Sequence, residues 1–207
     1  MVLEKRMSRK LVYGVGYYEK SDRFFSGTSP FQTKEYKSWR SMLRRCYSKE
    51  VGWNTDRKSA SYLGCTVSDN FKNFQYFAEW CHNQKGYGLE GYSLDKDILF
   101  KGNKEYHEDK CVFVPQELNN FPLSCKFVRG DYPIGVTFDK RQNRFVSKIY
   151  FDGVHRNIGS YSNSEDAFNA YKTAKEFQAK QLAIKHKGLV DERVIEALNN
   201  YTVEVTD

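Results

Sequence analysis

The sequence predicts an α+β chain on three observations: period-two alternation with tight-turn signals from about 131 to 161, helical spacing of apolar residues in three other stretches, and a strand–loop–strand–helix run between Tyr92 and Asn120. The alternating region implies a three-stranded antiparallel sheet, and the long helical stretch directly after it is the natural cover for its apolar face.

The elements follow in chain order. Leu11 to Tyr17 alternates and reads as a short strand, and Arg23 to Thr33 is a loop broken by Gly27 and Pro30. Thr33 then caps a helix with Tyr36, Trp39, Leu43 and Cys46 on one face, and Lys34, Lys37, Arg40, Arg44 and Arg45 around the rest. Residues 49–60 are polar and irregular; Tyr62 to Val67 reads as a strand. Ser68 or Asp69 caps a second helix running to about Asn83, whose stripe of Phe71, Phe74, Phe77, Ala78 and Cys81 is core. Gly86, Gly88 and Gly91 lie in a loop, not in a phosphate-binding glycine motif.

Tyr92–Leu99 and Cys111–Val114 are strands around a polar turn at Lys101–Lys104, and Pro115 opens a short helix over Gln116–Asn120. The sheet strands are Ile134–Phe138, Arg144–Phe151 and His155–Tyr161, joined by Lys140–Asn143 and Asp152–Gly153. Ser162–Glu165 is a capping box, and the helix behind it runs to Gly188. A short helix over 192–200 and an edge strand over Tyr201–Val205 close the chain. The expected divisions are a basic strand and loop (1–34), a second region (35–125), the sheet and its helix (131–188), and a C-terminal helix and tail (189–207).

Charge is unevenly spread over a chain of net +7. Residues 1–50 hold twelve Lys/Arg against five Asp/Glu, and residues 126–188 hold twelve against six. The intervening stretch is slightly acidic and the last 19 residues hold one cation against five acids. Two basic blocks point to a polyanion partner. No apolar run reaches the roughly 18 residues of a membrane span, and the charged start lacks the apolar stretch of a secretory signal. Five scattered cysteines, an odd number, fit reduced thiols in a cytosol.

Several motifs recur in a familiar order: Trp39-x-x-Met42-x-x-Arg45-Cys46, Cys65 before an aromatic helix, Leu94–Leu99, Gly102-Asn103-Lys104 and Cys111–Pro115. Over Tyr36 to Asn120 the chain resembles the phage-borne HNH endonuclease-like proteins of the His-Me finger group. The resemblance implies a ββα finger in which Asp95 and Asn119 hold a divalent cation, Mg²⁺ or Mn²⁺, against the scissile phosphate. The family's general base falls on Lys96, and a lysine with a reference pKa of about 10.4 is no base at neutral pH unless strongly desolvated. Exposed, it would bind a phosphate instead, leaving Asp97 or His107 as substitute bases out of place. Cys46, Cys65 and Cys111, with Cys81 or His107, are zinc candidates; the missing CxxC pair and the apolar faces they sit on favour buried thiols.

Gly135-Val136, Phe145–Ile149, Ile158–Tyr161 and Ser164–Tyr171 resemble the ethylene-response-factor type of DNA-binding domain. That resemblance implies that one sheet face packs on the helix and the other enters the major groove of double-stranded DNA. Period two assigns the faces independently: Phe145, Ser147, Ile149 and Phe151 inward, Val146, Lys148 and Tyr150 outward with Thr137, Asp139, His155 and Asn157. Arg156 accompanies the third strand, and Lys140, Arg141 and Arg144 at the hairpin are placed for phosphates. The leading expectation is a phage-type DNA-binding protein with a degenerate HNH-like domain. Beside it stand an active metal-dependent homing or nicking endonuclease, and an effector that inhibits a host nucleoprotein defence complex, to which the acidic tail adds weight.

Overall fold

The structure is a computed structural model that describes residues 11–18, 33–48, 62–121, 131–151 and 153–207. The loops expected over 23–32, 49–60 and 122–130, the charged start and Asp152 lie outside the described residues. The chain is α+β and divides into two compact units, residues 1–116 and 117–207. This differs from the expected divisions: the 189–207 segment is part of the second unit, and the boundary falls inside the short helix after Pro115. No helix among the described residues is long and apolar enough to cross a membrane.

In the first unit, helix α1 (Lys34–Tyr47) begins at Thr33, whose hydroxyl accepts from Tyr36 N at 3.2 Å. Its apolar face seats Tyr36, Trp39, Met42 and Leu43 in an aromatic core with Phe71, Phe74 and Phe77. Trp39 satisfies its one polar atom inside that core by donating Nε1–H to Phe71 O at 2.7 Å. The stretch 11–17 is not a strand: Tyr13 (φ 53°) and Gly14 (φ 81°) make a tight turn, flanked by single bridges from Val12 to Gly16 and from Tyr17 to Asn73. Strand β1 keeps only Thr66–Val67, parallel to β3 (Glu105–Tyr106). The second helix is two, α2 (Asp69–Lys72) and α3 (Phe74–His82), because Asn73 is extended and turns its side chain to cap α3 through Gln75 N and Tyr76 N. Strand β2 (Tyr92–Asp95) pairs antiparallel with β4 (Val112–Pro115), and helix α4 (Gln116–Asn120) follows at once.

In the second unit, β5 (Val136–Asp139), β6 (Arg144–Phe151) and β7 (Val154–Tyr161) form one antiparallel sheet with β6 central. Helix α5 (Ser164–His186) covers one face, burying Ala167, Phe168 and Tyr171 against Val136 and Ile149. The helix starts one residue later than the sequence implies: Asn163 accepts from Asp166 N, and Asp166 accepts in return from the Asn163 amide. Helix α6 (Glu192–Asn199) packs on α5, and the tail after it is not a strand. The Val203 side chain joins the core while its backbone N–H and C=O go to Glu176 and Lys172 of α5, so side chains do the work of a ladder.

Lys175 on α5 sets a pH dependence. Its Nζ lies 3.9 Å from the centre of the Phe121 ring and 3.3 Å from Gln178 Oε1, and burial lowers its pKa to about 8. The unfolded chain holds that proton to about 10.4, so it binds more protons than the folded chain between those values. Stability therefore rises as pH climbs from 8 to about 10, and the burial penalty is complete below 8. Lys175→Met is expected to raise stability at pH 7 by about 1 kcal/mol, net of the lost ring contact, and to flatten that rise. Urea unfolding at pH 7 and pH 10 checks it; an unchanged pH slope sinks it.

Candidate nucleic-acid interface

Among the described residues of its unit, no helix or strand covers the sheet's second face. Register puts Tyr150 opposite His155 and Lys148 opposite Asn157, with Thr137 and Ser160 flanking Val146. Thr137, Lys148, Tyr150, His155 and Asn157 are all exposed, and the Tyr150 and His155 rings stand 5.0 Å apart. The face thus offers an ammonium, an amide, a hydroxyl, a phenol and an imidazole on a rigid surface, the mixture of donors and acceptors that base edges require. Lys140 and Arg141 project from the hairpin at one end.

Four expected members sit differently. Val146 is buried, only 7 % exposed, although it faces outward. Arg144, two residues earlier on the same face, donates Nη2–H at 3.0 Å to the carbonyl of Ser160, so its stem runs beside Val146. Arg144 is itself exposed but tied to that carbonyl. Asp139 turns its carboxylate into the hairpin, accepting from Arg141 N at 2.9 Å and Gln142 N at 3.3 Å, and so shapes the turn that carries the cations. Arg156 pairs with the core residue Ile149 and lies 5.5 Å over the Phe151 ring, on the helix side.

Ser160 joins the open face unannounced. A bulge between Ser147 and Lys148 leaves Ile158 without a partner, so that Asn157 and Ser160, three apart, share the same side. The signal in the sequence is Gly159, since an isolated glycine in a strand marks such a bulge.

The Asp95 region of the first unit is a tight turn. Asp95 is 6 % exposed, and its Oδ1 accepts from Asp97 N at 2.9 Å and Ile98 N at 2.7 Å. Burial pushes its carboxyl above the ordinary range, against the pull of those two N–H groups. Lys96 is 4 % exposed and spends three donors at once: on both oxygens of Asp97 at 2.6 and 2.7 Å, and on Asn103 O at 2.8 Å. Neither the base position nor the phosphate hook suits a lysine so enclosed; it is the keystone of the turn. Asn103 binds back to Lys96 O and Glu105 O. Asp97, the proposed substitute base, is Lys96's counter-ion. His107 heads another turn, its Nδ1 accepting from Asp109 N at 3.1 Å.

Asn119 is half-buried on α4, in the part of that helix belonging to the second unit. Among the described residues no three His, Cys, Asp or Glu side chains gather as a metal site. One oxygen of Asp95 is committed to the backbone, and the Lys96 ammonium is next in the chain. Burial raises the thiols of Cys46 and Cys111 to about 12 and that of Cys65 above its usual value. Family models, curated proteins and solved structures were compared with the chain, and none matches it.

Proposed function

We propose that the protein binds double-stranded DNA by laying the open face of β5–β7 into the major groove, on a phage-type chain whose HNH-like first unit has lost its catalytic base. The observation that carries this reading is the rigid, exposed row of Thr137, Lys148, Tyr150, His155 and Asn157. A cation-bearing hairpin beside it and a basic flanking sequence supply the phosphate attraction that most of the affinity needs. The ethylene-response-factor resemblance supports the groove; the buried, fully bonded Lys96 supports binding without cutting.

The test is to incubate the full chain with a random duplex library and with supercoiled plasmid, in Mg²⁺, in Mn²⁺ and in EDTA, scoring binding and nicking together. Salt-sensitive binding without nicks is the expected result. Lys148→Ala with Tyr150→Ala is expected to weaken binding by at least tenfold with an unchanged thermal melt. Metal-dependent nicks lost on Asp95→Ala would make the protein an active endonuclease. Absence of salt-sensitive binding would overturn the DNA reading and leave a host nucleoprotein complex as the partner to pursue.

A further inference from the structure

The first unit contains a basic cleft that the sheet reading leaves unused. It holds about 370 Å³ between the polar face of α1 and the 87–94 stretch backed by Phe113. On the helix wall Lys34, Lys37, Ser41 and Arg45 follow one another at turn-by-turn spacing; on the other, Tyr87 and Tyr92 present half-buried rings. Among the described residues that line it there is no Asp or Glu, and the Glu35 carboxylate beside Tyr87 is paired with His82 at 2.9 Å. Lys34 reaches across the rim toward Gly88 O at 3.4 Å. Arg45 is anchored at the floor, donating Nη1–H to the Tyr106 hydroxyl at 3.2 Å with its guanidinium 5.4 Å over the Tyr62 ring, and it keeps further N–H donors.

The aromatic wall is held in place by the backbone. Gly86 has φ +86°, and a Cβ there would meet the Tyr92 ring at 2.7 Å, so the ring rests directly on the glycine. Three cations facing aromatic rings describe a ligand with an anionic end and a flat end. The volume is at the small end for a ligand pocket: it takes one nucleotide, while a duplex is far too wide. A simple anion would leave the rings idle, and an apolar ligand would leave the cations idle.

We propose that this cleft takes a single nucleotide unit, with its phosphate on Lys34, Lys37 and Arg45 and its base against Tyr92 and Tyr87. The nucleotide is either free in solution or an unpaired residue of a strand, and the site is independent of the sheet.

Calorimetric titration of the full chain with inorganic phosphate, deoxyadenosine, dAMP and a short oligo-dA tests it. Expected is dAMP binding at least tenfold tighter than phosphate or deoxyadenosine, since stacking adds to charge. Lys34→Ala with Lys37→Ala, both on exposed positions, is expected to weaken dAMP about tenfold, and Tyr92→Leu to bring it down to the phosphate level. Oligo-dA binding tighter than dAMP identifies an unpaired strand as the source; equal or weaker binding identifies the free nucleotide. Lys148→Ala is expected to leave dAMP binding unchanged. The proposal is overturned if dAMP binds no tighter than phosphate, if the double lysine variant retains full affinity with its circular dichroism intact, or if Lys148→Ala abolishes binding.

Discussion

Gly135→Ala is expected to remove about 3 kcal/mol or more from the second unit, a large share of the 5–15 kcal/mol that holds a domain folded. Gly135 has φ +78°, where a side chain costs roughly 1–2 kcal/mol. A Cβ there would stand 2.0 Å from Tyr171 Cδ2 and 2.2 Å from Cγ. Those atoms are the inner part of a ring that is 7 % exposed and fixed in the helix–sheet core, so the ring has no free end to swing aside. Forced overpacking adds about 1–3 kcal/mol. The loss is also transmitted to the open face, because Gly135 O accepts from Lys148 N at 2.8 Å and so sets where the proposed groove-reading lysine emerges. Urea unfolding followed by circular dichroism measures the first effect and duplex binding the second. A change below about 1 kcal/mol would mean that α5 gives way more easily than its packing implies.

Local pattern made most of the elements legible, and failures arise where distant residues decide. The period-two faces of β6 were readable because Phe145, Ser147 and Ile149 alternate with Val146, Lys148 and Tyr150, and all three inner residues are buried or half-buried. On β7 the alternation breaks at the bulge, so Ser160 falls on the face opposite to a strict count that runs on from Asn157, while Arg156, before the bulge, keeps to the count that begins with His155. The tail over Tyr201–Val205 has strand composition, but the polar groups it needs come from Glu176 and Lys172 on a helix, a solution invisible to local pattern. Asn73 breaks a stripe that reads as continuous, since only its backbone reveals that it caps α3. At the Asp95 turn, the order of charged residues was legible and their solvation was not. Whether Lys96 is wet or buried depends on Asn103 and on the Tyr62 and Tyr106 rings about 6 Å from its Nζ, and none of these is a sequence neighbour.

Asp97→Ala is expected to cost the first unit about 2–3 kcal/mol, although Asp97 is itself 39 % exposed. The cost arises on its partner: Lys96, 4 % exposed, loses two of its three hydrogen bonds and keeps its charge with Asn103 O alone. Breaking a wholly buried pair costs about 3–5 kcal/mol, and the partial exposure of Asp97 lets water return to the ammonium and reduces it. The reverse change, Lys96→Met, leaves a carboxylate that solvent already reaches and is expected to cost less. Lys96→Met with Asp97→Ala is expected to recover much of the loss, because it removes the buried charge together with its counter-ion. That asymmetry separates a structural lysine from a chemical one. A lysine acting as base or phosphate hook predicts that Lys96→Met abolishes nicking or weakens DNA binding while stability follows no such pattern. Urea unfolding of the three variants decides it: strictly additive costs, or Asp97→Ala within about 0.5 kcal/mol of the parent, would sink the structural assignment. A non-additive cycle with DNA binding intact means the turn keeps its lysine to close the loop.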